Sequence, residues 1–331
     1  MKAVVYEKYG SPEVLELKEI EKPIPKSNEV LIKVHAVSIN DWDLGNLNGS
    51  PFLNRMLLGL FKPKKNILGS DIAGRVEEVG TDIKLFKPGD EVYGDLSGKW
   101  GGFAEYVCAP ENALALKPSS MTFEEAAAIP QAAMLAVQGL EKGQIKSGQK
   151  ILINGAGGGV GTFAVQIIRL NNDIEITGVD SKNKLDMLHS LGFDHLIDYK
   201  KEDFTKNGKS YDLILDVKTN CSIFTYVHSL NPGGIYVTVG GSMIRILQIL
   251  LLGPLISFIS KKKLLILALK PNKNLKYINE LFEAGKIKPV MDNIYQLNEI
   301  SGAMQYFSEA KHKGKVVIKV VDNMEKKNEL R

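Results

Sequence analysis

The sequence predicts an α/β protein with two domains, in which a doubly wound parallel sheet is inserted into a partly open β-barrel. Three observations indicate this organisation. Closely spaced strand patterns fill the first 120 residues, strands and helices alternate from Lys150 onward, and the last 50 residues return to a mixed pattern. We therefore place the barrel domain at 1–120 plus 280–331 and the inserted domain at 121–279.

Strand patterns of the predicted barrel lie close together along the first part of the chain. Residues 29–37 alternate between apolar and polar side chains, as a half-buried strand does. Strands at 69–80 and 90–94 are bounded by glycine or Lys-Pro-Gly turns, and another short strand is predicted at 104–110. The segment 315–321 is a predicted terminal strand that rejoins this domain.

Helical signals mark the start of the inserted domain. Thr122 is a predicted N-cap with Glu125 three positions later, as in a capping box, and Pro130 interrupts helical spacing that resumes at 132–140. The alternation that follows is typical of a parallel sheet with helices on both faces. Strands are predicted at 150–154, 174–179, 195–197, 211–216 and 233–241, and helices at 160–170, 182–191, 277–284 and 300–311.

The composition excludes several classes of protein. Apolar residues at 44% and charged residues at 24% describe an ordinary globular protein, and a net charge of +4 is too small to indicate nucleic acid as a partner. Cys108 and Cys221 are too far apart for a CxxC zinc lobe, and the five histidines, which show no HExxH spacing, are interpreted as packing or surface residues. The N-terminus has no apolar run typical of a signal peptide, so we expect a cytoplasmic protein.

The segment 244–260 is rich in Leu and Ile and is followed by three lysines at 261–263. A spanning helix needs about 20 apolar residues, whereas Arg245, Gln248 and the Gly253–Pro254 pair interrupt this segment. We favour an apolar surface helix that covers a substrate channel or a dimer seam. Peripheral membrane contact through the helix and the lysines is the alternative.

A glycine cluster follows the predicted strand 150–154 and opens a helix. It matches a variant of GxGxxG, in which Ala156 permits the tight turn, Gly158 lets a pyrophosphate approach the backbone and Gly161 lets helix and strand pack closely. The helix N-terminus offers unpaired N–H groups to the diphosphate. A glycine-rich turn without a ligand is the alternative. The predicted cofactor-binding residues of this loop are Ala156, Gly158, Gly159, Val160 and Gly161.

Asp180 bears on the choice of cofactor, since it ends the next strand, 19 residues beyond Gly161. A carboxylate there hydrogen-bonds the adenosine ribose and repels a 2′-phosphate, which favours NADH. Ser181, Lys182 and Lys184 instead offer a hydroxyl and ammonium groups to a 2′-phosphate, which favours NADPH. The sequence leaves this choice open.

Many ordered motifs together identify a resemblance that covers nearly the whole chain. They include GSDIAGRVEEVG, FKPGDEVYG, INGAGGGVG, LGFDHLIDYKKEDF and GKVVI. With them the chain resembles the medium-chain dehydrogenase/reductase superfamily, in its zinc-independent quinone oxidoreductase-like branch. The resemblance implies a Rossmann-type domain inserted into a GroES-like domain. It also implies reduction of quinones or of the C=C bond of α,β-unsaturated carbonyls by NAD(P)H.

In the zinc-dependent relatives a Cys stands about where this chain has Asn40, and a Gly-His-Glu segment corresponds to residues 69–71. A further Cys would be expected within 130–136. Because all three positions lack Cys and His here, the resemblance predicts no bound zinc and disfavours alcohol dehydrogenation.

The resemblance also assigns candidate site residues. Asn40 is expected to donate to the nicotinamide ribose or to the substrate oxygen, and Asp43 to order that loop, the alternative being that both only cap a turn. Tyr93 is the local candidate for a general acid, with a packing role or proton donation by water as the alternatives. The remaining residues implied near the cofactor are Tyr199, Val239, Gly240 and Ser242.

Three departures from the family pattern affect cofactor choice and turnover. Relatives usually have an uncharged residue at Asp180, a glycine-containing loop at 217–220 and a larger polar or basic side chain at Gly45. Two other hypotheses therefore remain, a dinucleotide-binding protein with little turnover that acts through partners or membranes, and a zinc alcohol dehydrogenase. The apolar edge strand predicted at 264–270 also favours a homodimer.

Overall fold

A computed structural model describes residues 1–50, 52–170, 173–241 and 243–321. The chain forms two compact units. The first contains residues 1–131, 271–283 and the chain from 291 onward, and the second contains residues 132–270 and 284–290. The second unit is therefore an insertion in the first, and each is described by itself.

The strands and helices follow one another along the chain in this way. The strands are β1 (Lys2–Val5), β2 (Glu16–Glu19), β3 (Glu29–Ser38), β4 (Asp71–Val79), β5 (Glu91–Asp95), β6 (Tyr106–Pro110), β7 (Ala115–Leu116), β8 (Lys150–Asn154), β9 (Glu175–Asp180), β10 (His195–Asp198), β11 (Tyr211–Asp216), β12 (Leu230–Thr238), β13 (Lys263–Ile266), β14 (Met291–Gln296) and β15 (Lys315–Lys319). The helices are α1 (Asp41–Asn48), α2 (Phe52–Leu58), α3 (Phe123–Ala127), α4 (Pro130–Gly143), α5 (Gly159–Ile168), α6 (Lys182–Ser190), α7 (Ile223–His228), α8 (Met243–Ser260), α9 (Leu275–Glu283) and α10 (Ile300–Ser308).

The first unit is built on a seven-stranded sheet in the order β14-β15-β3-β4-β5-β7, with β6 also paired to β3. Strand β3 pairs with β4 along its length, while its other edge is shared between β6 near Glu29 and β15 near Ser38. The predicted half-burial of β3 is therefore wrong, because nearly every residue of the strand is buried. The covering helix α3 explains this, since Phe123 stacks on His35 with 4.1 Å between the ring centres.

The second unit is a six-stranded sheet in which all paired strands run parallel, in the order β10-β9-β8-β11-β12-β13. The predicted α/β fold is confirmed. Strand order reverses between β8, which comes first in this unit, and β11, its neighbour. Ligands of doubly wound folds bind beside the carboxyl ends of the strands at such a reversal. The carboxyl ends of β8 and β11 are Asn154 and Asp216, which are direct register partners.

The observed units differ from the predicted boundaries at 120/121 and 279/280. Residues 121–131 and 271–279 belong to the first unit, whereas 284–290, which were predicted in the barrel domain, belong to the second. The predicted capping box is present, since the Glu125 amide donates to Thr122 Oγ1 at 3.1 Å, but the helix that it starts packs on β3, β4 and β15. Asn272 donates from its side chain to the Asp95 carbonyl at 2.9 Å, which ties the later segment to β5.

Helix α8 is continuous through Pro254, so the predicted break at Gly253–Pro254 does not end the helix. The carbonyl that Pro254 leaves without an amide partner belongs to Leu250, which is exposed and open to water. Among the described residues, no helix is both long and apolar enough to cross a bilayer.

Candidate cofactor and substrate sites

The glycine loop connects β8 to α5. Gly155 has a φ of +83°, a left-handed conformation that a side chain would strain, and Gly158 is the extended N-cap residue of α5. A Cβ added at Gly161 would lie 2.3 Å from the carbonyl oxygen of Ala156. The close packing of helix and strand predicted at Gly161 is therefore a steric requirement of the observed backbone.

Gly158 differs from Gly161, because a Cβ added there would meet only the Gly155 carbonyl oxygen, at 3.8 Å. The space beside Gly158 is open, and it lies at the N-terminus of a ten-residue helix. Gly159 and Val160 form the first helical turn and offer backbone N–H groups there. This cradle, which a side chain at Gly158 would fill, fits the pyrophosphate of a dinucleotide.

Asp180 closes the loop from the end of β9. Its Oδ2 accepts from the Gly157 amide at 2.7 Å, and its Oδ1 accepts from the Ser181 amide at 2.8 Å and from the Ser181 hydroxyl at 3.3 Å. The Lys184 ammonium lies 3.6 Å from Oδ1, and both side chains are buried. The carboxylate thus shapes the loop, and a buried cation offsets its charge.

The other predicted cofactor residues follow strands of the same sheet. The Tyr199 amide donates to the Asp180 carbonyl at 3.2 Å, and the Tyr199 side chain is half exposed, so this tyrosine lies beside the predicted adenosine end. Val239 and Gly240 follow β12, and the Val239 amide donates to the Asp216 carbonyl at 2.9 Å. Ser242 lies outside the described residues.

Asp216 organises the strand ends, a role that sequence reasoning missed. Its Oδ1 accepts from Asn154 Nδ2 and from the Thr219 amide, both at 2.8 Å, and its Oδ2 accepts from the Tyr236 hydroxyl at 2.7 Å. The carboxylate is fully buried and joins the ends of β8, β11 and β12. The signal available in the sequence was an acid at the end of a buried strand, without any indication of its partners.

The loop 217–220 contains no glycine, in contrast to the glycine-containing loop expected from relatives, yet one of its residues adopts a backbone conformation that favours glycine. Thr219 has a φ of +50°, in the left-handed region that glycine adopts without strain. Its hydroxyl donates to the Gly240 carbonyl at 2.9 Å and lies 3.0 Å from the Thr238 hydroxyl. Hydrogen bonds of the side chain thus hold the strained residue in place.

In the first unit, the predicted residues Asn40 and Asp43 lie where β3 passes into α1. Both oxygens of Asp43 accept backbone amides at 2.9 Å, one from Asn40 and one from Gly69. Asp43 therefore orders the loop, as the sequence suggested. Asn40 does more than cap, because its Nδ2 donates to Ser70 Oγ at 3.3 Å.

Lys315, which sequence reasoning did not single out, lies at the centre of this buried cluster. Its ammonium donates to Asn40 Oδ1 at 2.5 Å and to the Ile39 carbonyl at 3.2 Å, and lies 3.7 Å from Asp71 Oδ2. Asn40 and residues 70–71 are two of the three places where zinc-dependent relatives were expected to carry metal ligands. A buried ammonium contacts both of them in this chain.

Burial controls protonation in the cluster. It raises the pKa of Asp43 from 3.8 to about 7, against the opposing effect of the accepted backbone amides. Burial likewise raises the pKa of Asp71 from 3.8 to about 7, although the Lys315 charge acts in the opposite direction. Burial lowers the pKa of Lys315, and Asp71 and Asp43 partly restore it. Burial therefore favours the neutral forms of Asp43, Asp71 and Lys315, and the hydrogen bonds and opposite charges within the cluster partly offset it.

Tyr93, the candidate general acid, is fully buried in β5. Its hydroxyl donates to Asn279 Oδ1, and burial raises its pKa. Because the phenolic proton is committed to Asn279, the geometry favours the packing role for this tyrosine. Gly45, the third departure, lies within α1, where a Cβ would come 3.2 Å from the Ser50 carbonyl oxygen, so a larger side chain requires the backbone to shift.

Within the ranges that the structure describes, no group of three or more His, Cys, Asp or Glu side chains has the arrangement of a metal site. The predicted packing role of the histidines has clear instances, since His35 stacks on Phe123 and His312 on Phe307. The side chains that contact Asn40 carry a hydroxyl group in Ser70 and an ammonium group in Lys315, and an ammonium group cannot act as a metal ligand.

A glycine cradle at a strand reversal, in a domain inserted into a mixed β unit, is typical of a dinucleotide-binding protein. Residues 26–119 match the family described as alcohol dehydrogenase GroES-like domain, and residues 191–318 match the family described as zinc-binding dehydrogenase. The chain belongs to the medium-chain dehydrogenase/reductase superfamily, in its quinone oxidoreductase-like branch.

Individual proteins agree with this assignment. The chain is 34% identical to a 2-methylene-furan-3-one reductase of Solanum lycopersicum, over 96% of this chain and 79% of the relative. It is 32% identical to an NADPH-dependent alkenal/one oxidoreductase of Arabidopsis thaliana, with the same coverage. A quinone oxidoreductase structure from Coxiella burnetii superposes with a TM-score of 0.85 at 29% identity, covering 97% of this chain and 99% of the other.

Proposed function

We propose that this protein is an NAD(P)H-dependent reductase of quinones or of the C=C bond of α,β-unsaturated carbonyls. The observation that carries the proposal is the open cradle at Gly158 beside the strand reversal, which fits a dinucleotide. By their names, the relatives above act on 2-methylene-furan-3-one, on alkenals or enones and on quinones. In this chain the buried Lys315 ammonium joins two positions where zinc ligands were expected. The reaction that we propose needs no zinc.

Bound reduced nicotinamide supplies the hydride that the β-carbon of an enone accepts. The oxygen of the substrate then gains negative charge, which a hydrogen-bond donor stabilises. Asn40 is the proposed donor, as the family pattern implies, and in this structure its side-chain amide hydrogen-bonds Ser70 and Asp71. Lys315 holds the amide oxygen and fixes which end of the side chain donates. Since the Tyr93 proton is committed, water is the proposed proton source for the α-carbon.

We further propose that NADPH is the preferred cofactor. The Asp180 carboxylate is engaged by the amides of Gly157 and Ser181, and Lys184 offsets its charge, so it repels a 2′-phosphate less than a free carboxylate does. Ser181 and Lys182 supply a hydroxyl and an ammonium group near that end of the site, and the buried Lys184 adds positive charge there. Titration of nicotinamide fluorescence with NADPH and with NADH tests this preference, which the Asp180→Ala variant should increase.

A homodimer in the cytoplasm is also part of the proposal. Strand β13 lies at the edge of the parallel sheet, and such an edge offers unpaired backbone groups to a second copy. Sedimentation equilibrium of the purified chain tests this state, with a single monomer species as the contradicting result.

Steady-state oxidation of NADPH and NADH, with a panel of enones and quinones, tests the activity. We expect turnover with several members and none with the matched saturated ketones. Cofactor binding without turnover on any member would support the low-turnover binding protein instead. Oxidation of alcohols, together with stoichiometric zinc by elemental analysis, would support the zinc alcohol dehydrogenase.

A further inference from the structure

Helix α8 presents an apolar face that nothing in its own unit covers. The helix packs on β13 and α7 through the side that carries the buried Ile249. The opposite side holds large apolar side chains that are 51–87% exposed, namely Leu247, Leu250, Leu251, Leu255, Phe258 and Ile259. At 100° per residue these side chains share one half of the helix circumference. A helix that is apolar all round is normally buried, so this face is suited to a partner that removes it from water.

The charge of the surrounding sequence indicates which partner. Between Asp216 and Glu280 the chain contains no acidic residue. The same stretch holds eight basic residues, Lys218, Arg245, Lys261, Lys262, Lys263, Lys270, Lys273 and Lys276. Because the whole chain carries only +4, the rest of the protein has a net charge of −4. Positive charge is thus concentrated in the part of the chain that contains α8.

Two exposed lysines lie close in sequence to the C-terminal end of α8, next to the apolar face. Lys261 directly follows the last turn of α8 and Lys263 is the first residue of β13, and both are exposed. A second copy of the chain on this face would bring two surfaces of the same sign together, because a two-fold interface uses the same patch twice. An anionic lipid surface instead complements the lysines and accepts the apolar side chains.

We propose that α8 is a membrane-docking helix, whose apolar face enters the boundary between headgroups and acyl chains of an anionic bilayer while Lys261 and Lys263 contact lipid phosphates. The helix lies in the plane of the interface and does not span the bilayer. This proposal goes beyond the reductase function and is independent of it. In that position the protein would meet apolar substrates where they dissolve.

Flotation of the purified full-length chain with vesicles tests the proposal. Vesicles of phosphatidylcholine with phosphatidylglycerol are compared with vesicles of phosphatidylcholine alone, at low and high salt. We expect binding to the anionic vesicles only, weakened by salt because lysine–phosphate attraction is screened. Replacing Leu251 and Phe258 together by serine should lower the bound fraction about tenfold or more. Replacing Lys261 and Lys263 by glutamine should lower it about fivefold per lysine.

Matched controls distinguish binding through this helix from nonspecific hydrophobic binding. Ile24 and Leu85 are 87% and 68% exposed in the first unit, and their replacement by serine should leave binding unchanged. Absence of binding to anionic vesicles, or equal losses in control and test variants, would overturn the proposal. So would a dimer in solution that Leu251→Ser with Phe258→Ser turns into a monomer, because the face would then join two copies. Thermal melts and turnover of a water-soluble enone check that each variant is folded.

Discussion

Replacing Lys315 by methionine removes a buried ammonium while keeping most of the side-chain volume. Three partners lose their contact with it, namely the Ile39 carbonyl, Asn40 Oδ1 and the Asp71 carboxylate. Removing one partner of a buried ion pair costs about 3–5 kcal/mol, because the other charge is left uncompensated. This is a large part of the free energy of unfolding of a typical domain, which is about 5–15 kcal/mol.

Urea unfolding followed by tryptophan fluorescence measures this loss directly. Trp42 and Trp100, the two tryptophans of the chain, both lie in the first unit with Lys315. We expect a fall of about 4 kcal/mol in the free energy of unfolding. The control Lys311→Met removes an exposed lysine that pairs with Glu309, and should cost less than about 1 kcal/mol.

The loss should also grow with pH. An acid whose pKa is raised in the folded state destabilises the fold as pH rises from its ordinary value through its folded value. For Asp71 that interval runs from 3.8 to about 7. Without Lys315 the folded pKa moves higher, so the variant should continue to lose stability above neutral pH. Adding Asp71→Asn should recover much of the loss. An unchanged urea midpoint in Lys315→Met, or strictly additive effects of the two substitutions, would refute the reasoning.

Further predictions concern the cofactor site and Tyr93. The free energy of unfolding of Gly158→Ala should lie within about 1 kcal/mol of the parent value, since there is room for a methyl group. The same variant should bind NADPH at least about tenfold more weakly in a fluorescence titration. The free energy of unfolding of Gly161→Ala should fall by about 1–3 kcal/mol, because the added methyl group clashes with the backbone. Equal stability of the two variants would contradict this. Lys184→Ala should weaken NADPH binding about tenfold and NADH binding much less, and equal losses would remove Lys184 from 2′-phosphate recognition. Tyr93→Phe should keep kcat within about threefold of the parent value and lower the free energy of unfolding by about 1 kcal/mol. A large fall in kcat would instead identify Tyr93 as the general acid.

Local signals predicted the inserted sheet well. The strands at 150–154 and 211–216 have the predicted bounds, because a continuous apolar run between turns leaves few other choices. The capping box at Thr122 is also present. The domain to which a short helix belongs depends on its tertiary contacts, so the prediction assigned α3 to the other domain.

Long-range partners explain what the sequence could not predict. Lys315 and Asn40 are 275 positions apart, and the GKVVI motif that contains Lys315 was interpreted only as a strand. The alternation in β3 predicted a half-buried strand, but pairing with β4, β6 and β15 and coverage by α3 bury it. Thr219 shows the same limit, because its left-handed φ depends on hydrogen bonds to Thr238 and Gly240, at the end of another strand.

The central claim is hydride transfer to a C=C bond, and an isotope-transfer experiment tests it most directly. Each C4 epimer of deuterated NADPH is mixed with the protein and an α,β-unsaturated ketone in ordinary water, and the product is examined by mass spectrometry and NMR. We predict that one epimer places deuterium on the β-carbon, while the α-carbon takes hydrogen from water. Deuterium on the carbonyl carbon, with an alcohol as product, or no deuterium in the product from either epimer, would contradict the account.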